Sequence, residues 1–516
     1  MKNYNENEVR YWAEKLVSFN INKIDKLAIY GTGVGADLLY DVLKKIGMID
    51  QMVGFIERGE CLDNRSKLGL EVYTLSECCE KVNCILVGAL DNHSVIRERL
   101  MSFLEDNTNC CFRVIDVFGF NSLDDKLGYL QQIEKMILKE KSCDFVEITT
   151  NIYCRDKRDT KVIAWYLPQY HEIEINNELL GRGFTEWTNT TRAFPMYTGH
   201  YQPHIPYDVG YYNLNNIETY IRQIELAKAY GIYGFSFYYY WFSGKRLMEK
   251  PLEKFLEHRE LNMQFCITWA NENWTTLWDG GNHEIVYEQK INEGDAERFI
   301  DDLLPIISDD RYITIEKKPL VIIYRGDIIS SDRMSNLITA MRSRAKYHGF
   351  SDLYIAITNA GAWDGDANEI GADALVEFPP HGIFERTDRI HKTGYVNPYF
   401  VGRIMDTKKF IDDRLYLLKH KTKIYYRAAL TSWDNTSRKA RSGATVYHGL
   451  SPKTFKKWLK DIVHESKQIH CGDSDIVFVN SWNEWAEGSH LEPDMKYGYA
   501  YLQAVKDVLE ESRKFY

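Results

Sequence analysis

The sequence predicts an α/β protein in two parts, a C-terminal (β/α)8 barrel preceded by a small doubly wound domain. Three patterns predict it. From Lys161 onward, short apolar strands alternate with amphipathic helices through eight units. Those strands are near-continuous apolar runs, as expected where both faces of a parallel sheet are covered. Before residue 122, a shorter strand–helix alternation opens on a glycine-rich turn.

The barrel strands expected are Val162–Leu167, Tyr233–Tyr238, Gln264–Trp269, Leu320–Tyr324, Leu353–Thr358, Ala374–Phe378, Ile424–Leu430 and Ile476–Ser481. The helices expected between and after them are Ile217–Tyr230, Leu247–Arg259, Asp295–Ile307, Asp332–His348, Phe400–Leu418, Pro452–Gln468 and Tyr499–Arg513. The fifth connection, 359–372, is short for a full helix. In the N-terminal part the strands expected are Leu27–Tyr30, Val53–Ile56, Cys84–Gly88 and Phe112–Ile115. A connecting helix is expected over Ser122–Ser142, and a polar linker runs on to Asp159. The domain reading is therefore 1–121, a helical linker over 122–159, and the barrel over 160–516.

The glycine turn, Gly31-Thr-Gly33-Val-Gly35-Ala36, joins the first strand to an amphipathic helix. It fits the dinucleotide fingerprint of a Rossmann-like domain with Ala36 in the last place, and Glu57 lies about twenty residues on, where a ribose hydroxyl would be held. Three readings stay open: a dinucleotide site, a nucleotide or nucleotide-sugar site, and a turn with glycines for purely structural reasons. The turn together with Val53–Glu57 resembles the small domains attached to bacterial sugar-modifying enzymes.

Composition narrows the partners. The 516 residues carry a net charge of −10 and no dense basic run, so nucleic acid is not expected. No stretch of about 18 uncharged apolar residues occurs, so no membrane span is expected. The first residues are polar, without the apolar core of a secretory leader, and the ten cysteines form no CxxC pair. A reduced, cytoplasmic protein without structural zinc is the expectation. Aromatics make up 14%, including 35 Tyr and 12 Trp, side chains that stack well on sugar rings.

In a (β/α)8 barrel, chemistry sits where strands end at the C-terminal rim. Six of the eight predicted strand ends carry suitable residues. The candidate sugar-binding set is Tyr166, Gln169, His171, Glu186, Trp187, Tyr240, Trp241, Trp269, Asn271, Glu272, Trp274, Asp279, His381, Trp433, Asp434, Asn483 and Trp485. After strand eight comes Asn483-Glu484-Trp485-Ala486-Glu487-Gly488. Two glutamates three apart can enter one pocket if the loop turns helically, and glycoside cleavage commonly needs two carboxyl groups. Trp482 and Trp485 could desolvate one carboxyl and raise its pKa. An ExxE by itself is common on surface loops, so placement at the strand end carries the reading of Glu484 and Glu487 as catalytic. His200 and His204 have no third metal ligand at a recognisable spacing, and no metal is expected.

At these residues the chain resembles the WbsX-like family of bacterial surface-polysaccharide proteins, historically labelled glycosyltransferases and related to the endo-α-mannosidases of glycoside hydrolase family 99. The matching segments are WYLPQYH (165–171), GFTEWTN (183–189), YYYWFSGKRLMEKP (238–251), WANENWTTLWDG (269–280), EFPPH (377–381), SWDNT (432–436) and NSWNEWAEGSHLEPD (480–494). They span nearly all of the chain after residue 160. The resemblance implies a barrel in which Glu484 removes the proton of the sugar 2-hydroxyl, so that this oxygen attacks the anomeric carbon and forms a 1,2-anhydro sugar. It implies that Glu487 protonates the leaving oxygen and then activates water. That route needs a 2-hydroxyl trans to the leaving group, as in α-mannose. The sequence departs from the family at Leu179-Leu180, where the family carries two tryptophans, and at Glu172 and Glu174, where it carries prolines, which leaves the sugar identity open.

Three functions follow as expectations. One is a retaining, glycosidase-type enzyme acting on an oligosaccharide or polysaccharide, with no cofactor in the barrel. The second is a glycosyltransferase of O-antigen or capsule synthesis, with a nucleotide sugar held by the N-terminal domain. The third is a carbohydrate-binding barrel without catalysis.

Overall fold

The C-terminal sheet of the computed structural model closes on itself through one interrupted strand. The structure describes residues 25–57, 65–89, 93–107, 109–117, 141–197, 199–275, 285–361, 363, 365–390, 402–439 and 443–514, with a few positions between 12 and 21. The barrel strands are β1 (Lys161–Tyr166), β2 (Ile232–Phe242), β3 (Gln264–Trp269), β4 (Lys318–Ile323), β5 (Tyr354–Thr358), β6 (Ala374–Val376), β7 (Tyr425–Tyr426 and Ala428–Leu430) and β8 (Ile476–Asn480). Each pairs in parallel with its neighbours in chain order, and β8 returns to β1. Tyr425–Tyr426 pairs with β6 and Ala428–Leu430 with β8, so the two halves of β7 join the open edges. Arg427, at the break, turns its guanidinium onto Glu377 and Glu465.

The fold is the α/β barrel that the alternating pattern predicts. The helices are α1 (Ile217–Ala229), α2 (Lys250–Glu257), α3 (Asp295–Ile307), α4 (Ser331–Tyr347), α5 (Lys408–Asp412), α6 (Pro452–Ile469) and α7 (Ala500–Ser512). The fifth connection holds only a 3-10 turn, Ala367–Ile370. Side chains fill the barrel interior: Trp165 stacks on Phe478 at 5.0 Å, meets Phe378 edge-on at 4.5 Å, and donates through Nε1 to Thr268 at 3.1 Å. A plugged interior leaves only the rim for a cavity.

Two expectations are corrected. The segment 400–418 is not one helix. Arg403–Asp406 is a strand between Asp388–Ile390 and Thr445–His448, and helix starts only at Lys408, whose N–H donates to the Asp406 carboxylate at 2.9 Å. Ile404 and Met405 are buried by that pairing, a tertiary gain that overrides helical periodicity. Residues 391–401 lie outside the described set, as does most of the expected linker helix, 118–140. Strand β2 also runs past Tyr238 to Phe242, because a hairpin turning at Ser243-Gly244 brings Lys245–Leu247 back against it.

The N-terminal sheet has parallel strands in the order Leu70–Tyr73, Met52–Ile56, Leu27–Tyr30, Cys84–Val87, Arg113–Asp116, with Ser66–Lys67 forming an edge hairpin that sequence reading missed. Apolar side chains cover both faces, Leu38, Leu39, Val42 and Leu43 on one and Cys78, Leu100 and Phe112 on the other, which makes the sheet doubly wound.

Candidate active site

The two glutamates sit on a tight hairpin that leaves β8. Asn483–Glu484 pairs with Ser489–His490, and one 3-10 turn, Trp485–Glu487, closes it. Gly488 follows with φ 62°, where a side chain would be strained, and an added Cβ would lie 3.3 Å from Asp434 and from His204. That turn is the helical twist that lets positions three apart face one cavity.

The hairpin is tied from every side. Ser481 Oγ accepts from the Glu484 N–H at 2.9 Å and donates to the Ser489 carbonyl at 2.6 Å. The Asn483 amide exchanges bonds with the Leu167 backbone at 2.7 and 3.0 Å. Glu492, fully buried, accepts from Trp485 Nε1 at 2.7 Å, Trp482 Nε1 at 3.1 Å, Gln223 at 2.6 Å and Tyr212 at 3.0 Å. Burial pushes its pKa up to about 7 even against those donors. From behind, the Asp434 N–H donates to the Glu487 carbonyl at 2.7 Å, and Ser437 donates to that of Ala486.

Above the hairpin is a cavity of about 640 Å³, within the range that encloses small ligands. Its lining comes from the C-terminal ends of seven of the eight strands. Of the predicted residues, Gln169, Glu186, Tyr240, Glu272, Trp274, His381, Trp433, Glu484 and Glu487 line it. Glu484 is pushed up to about 8 by burial first and by the charge of Glu487 second, against the pull of Arg438. Glu487 is raised too, by burial, with Arg438 and Lys439 opposing. The Arg438 guanidinium, 7% exposed, donates to Glu487 at 2.7 Å, to Glu484 at 3.2 Å and to Glu186 at 2.7 Å. Two carboxyls on one guanidinium lie no more than roughly 8 Å apart, a bound that takes in both retaining and inverting separations. Across the cavity Glu272 is raised by burial and pairs with Arg325 at 3.2 Å, and burial lowers His381 to about 4, so its ring is neutral.

The other predicted residues do not line the cavity, because their polar atoms are used inside the wall. Tyr166 donates to Gln223 at 2.7 Å, His171 bonds the Pro168 carbonyl at 2.8 Å, and Trp187 donates to the Tyr212 carbonyl at 2.7 Å. Trp241 donates to Asp302 at 2.6 Å, Trp269 to the Trp241 carbonyl at 3.2 Å, and Asn271 brackets the Arg325 backbone at 2.7 and 2.8 Å. Asp434 accepts from His200 at 2.5 Å and from Gln202 at 2.8 Å, and His200 holds it down to about 2 although burial opposes this. Asn483 and Trp485 belong to the hairpin scaffold, and Asp279 lies outside the described residues. Sequence reading missed Tyr238, Tyr324, Arg325, Arg438 and Lys439. Tyr238 and Tyr324 end expected strands, Arg325 follows one, and Arg438 and Lys439 lie in the loop after the seventh, so position at a strand end was the signal each carried.

Among the described residues one cluster, His204, His490 and Asp494, has ligand atoms near enough to hold a metal ion. Its two ring nitrogens lie 2.8 Å apart as a hydrogen bond, closer than the roughly 3.3 Å set by two nitrogens on one tetrahedral zinc. In the N-terminal sheet Gly31 has φ 114° at the strand end, Gly33 precedes the helix, Ala36 is buried, and Glu57 accepts from Thr32 Oγ1 at 3.1 Å. Lys67 bonds the Thr32 carbonyl and pairs with Asp37 at 2.6 Å beside the turn.

A closed barrel with an aromatic-walled cavity and buried paired carboxyls at its rim has the groups that acid/base chemistry on a sugar-sized ligand would need. The family model described as Glycosyltransferase WbsX matches residues 162–505, and the chain belongs to that family. Two curated relatives, each described as "Uncharacterized protein WxcX" and each from a strain of Xanthomonas campestris pv. campestris, are 34% identical over 356 residues, 67% of this chain and 49% of theirs. The chain thus spans about half the length of the curated relatives it matches. Among solved structures, a "Glycoside hydrolase-like protein" aligns with TM-score 0.44 and 15% identity over 71% of this chain and 98% of its own. The GH99 endo-alpha-mannosidase from Bacteroides thetaiotaomicron aligns with TM-score 0.42 and 13% identity over 70% and 99%.

Proposed function

We propose that the barrel cleaves α-manno-configured linkages of an oligosaccharide or polysaccharide, with Glu484 and Glu487 dividing acid and base work. The observation that carries this is the buried carboxyl pair held by one guanidinium at the base of the cavity. Two carboxyls this buried and this close share a proton at neutral pH and titrate as a pair, the condition for one to donate while the other accepts. In the family scheme Glu484 takes the sugar 2-hydroxyl proton as that oxygen bonds to the anomeric carbon and the leaving oxygen takes the proton of Glu487. Water then opens the anhydro ring, and both protons return. Tyr240, Trp274 and Trp433 offer ring faces for the sugar, and Glu272 an acceptor for its hydroxyls.

Leu179 and Leu180 line the cavity at 46% and 38% exposure. They put branched aliphatic side chains where the resemblance expects two tryptophans, so a flat stacking face is missing from this part of the wall.

The second reading is transfer rather than hydrolysis, favoured by the description of the family. In transfer an acceptor hydroxyl rather than water takes the glycosyl group, and with a nucleotide-sugar donor the leaving group is a nucleotide rather than a sugar hydroxyl.

One experiment separates them. The protein is incubated with α-mannosyl oligosaccharides, with and without nucleotide sugars, beside Glu484→Gln and Glu487→Gln. Hydrolysis without nucleotide, lost in both variants, supports the proposal. Product that forms only with a nucleotide sugar supports transfer. Sugar binding with no turnover by the wild type would leave a binding barrel.

A further inference from the structure

We infer that Arg438 is a positioning residue that sets which of the two carboxyls carries their shared proton and shifts its grip from one to the other as sugar enters; this rests on the acid/base reading above. The guanidinium is anchored by groups other than the pair. Its Nε arm holds Glu186 at 2.7 Å, and its short helix, Thr436–Lys439, is capped by Asp434, which accepts from the Thr436 N–H at 3.0 Å. The two remaining arms therefore point at Glu487, 2.7 Å away, and Glu484, 3.2 Å away.

Three carboxyls around one guanidinium leave excess negative charge in a buried place, and a proton is the cheapest relief. The shorter arm marks Glu487 as the ionised partner and leaves the proton on Glu484, the group raised to about 8. The other charges facing the pair are Lys439, Glu272 and the Arg325 that pairs with Glu272. The phenols Tyr170, Tyr238, Tyr240 and Tyr324 are held far above their ordinary range by burial and stay neutral.

This resting distribution is the reverse of what the family scheme needs once sugar is in place. One proton moves from the Glu484 carboxyl to the Glu487 carboxylate, so charge balances. Arg438 follows, lengthening its contact with Glu487 and shortening that with Glu484. The guanidinium then stabilises the base, while the acid is released to face the leaving oxygen.

The intact chain can be titrated by infrared difference spectroscopy of protonated carboxyls, which needs no substrate. A carboxyl proton lost near pH 8 is expected in the wild type and absent from Glu484→Gln. Arg438→Met should move that midpoint up by at least about one pH unit, and Arg438→Lys by less. Glu186→Gln, which frees the third arm while keeping the cation, should move it down. Glu492, raised to about 7, should keep its own band in every variant; a midpoint unmoved in the folded arginine variants, or a band near pH 8 persisting beside that of Glu492 in Glu484→Gln, overturns the inference.

With a turned-over α-mannosyl substrate, Arg438→Ala should lose about 100-fold in kcat with little change in KM, and the alkaline limb of its pH profile should follow the infrared midpoint. Added guanidinium should restore at least tenfold, which a merely structural arginine would not allow. If the wild type turns over no glycoside, the acid/base reading fails, and the infrared titration still decides the role of Arg438.

Discussion

Two strand-end turns in this chain look alike as sequence and differ as structure. The glycine turn after Leu27–Tyr30 and the Asn483–Gly488 hairpin after β8 both follow an apolar strand, both carry a motif, and both use glycine at positive φ. The hairpin is held by backbone groups just past β1 and after β7, and by side chains from helix α1 and from the residues that follow it, and it opens on a large cavity. The glycine turn has its own neighbours, Glu57 and Lys67, bonded to Thr32. A motif becomes a site when distant elements supply partners and a cavity. The pair of glutamates has both.

The sharpest break of that contrast comes from paired substitutions. Glu484→Gln or Glu487→Gln should lower turnover of an α-mannosyl substrate by about 1,000-fold or more, within the range for losing a general acid or base. Glu57→Ala in the N-terminal domain should leave it within about twofold. A large loss from Glu57→Ala would mean that the N-terminal domain takes part in the chemistry.

Next in size is the hairpin's buried anchor. Glu492→Leu strands the N–H groups of Trp482 and Trp485, the Gln223 amide and the Tyr212 hydroxyl, at a cost of about 3 kcal/mol in stability. Denaturant titration would read the loss, and retained stability would show that the anchor is replaceable.

The glutamate pair itself should weaken the fold in a pH-dependent way. Glu484 is raised in the folded chain from 4.5 to about 8, so the folded state binds its proton more tightly than the unfolded one does. The stability it withholds is absent below about pH 4.5, grows as pH rises through the window to about 8, and is constant above. Glu484→Gln removes the cost, so its melting temperature should exceed the wild type's by a few degrees at pH 8 and match it at pH 4.5. A difference independent of pH would show that the carboxyl is not held protonated.

Smaller effects test the cavity wall and the glycine turn. Trp274→Ala should raise KM about three- to tenfold with kcat nearly unchanged, as loss of a stacking face does. NAD, UDP-sugars and GDP-sugars should leave the melting temperature unmoved if the glycine turn is structural; a shift of several degrees by one of them would give that turn its ligand and narrow the contrast between the two strand ends.

Much of this was legible in the sequence because it is local. Alternating apolar strands and amphipathic helices set the barrel, and α3 runs over Asp295–Ile307 as periodicity and its acidic first turn predict. The ends of strands marked where to look, and Glu484, Glu487 and Glu272 face the cavity from there. The tryptophans were harder. Trp187, Trp241, Trp269 and Trp485 follow strands or sit in motifs as Trp274 does, yet each is buried with its N–H bonded inside the wall. Which way an aromatic ring faces depends on the neighbouring layer, and that is not encoded in its flanking residues.

The chain alone thus determined the repeating order of strands and helices and the spacing of the paired acids, since both depend on residues a few positions apart. Tertiary structure decided that β7 breaks at Arg427 to close the sheet, and that Arg438 lies against Glu186, some 250 positions away in sequence, as well as against the acids after β8. Those outcomes come from burial. A charge taken from water must find its counter-charge wherever the fold brings one, and no local pattern names that partner in advance.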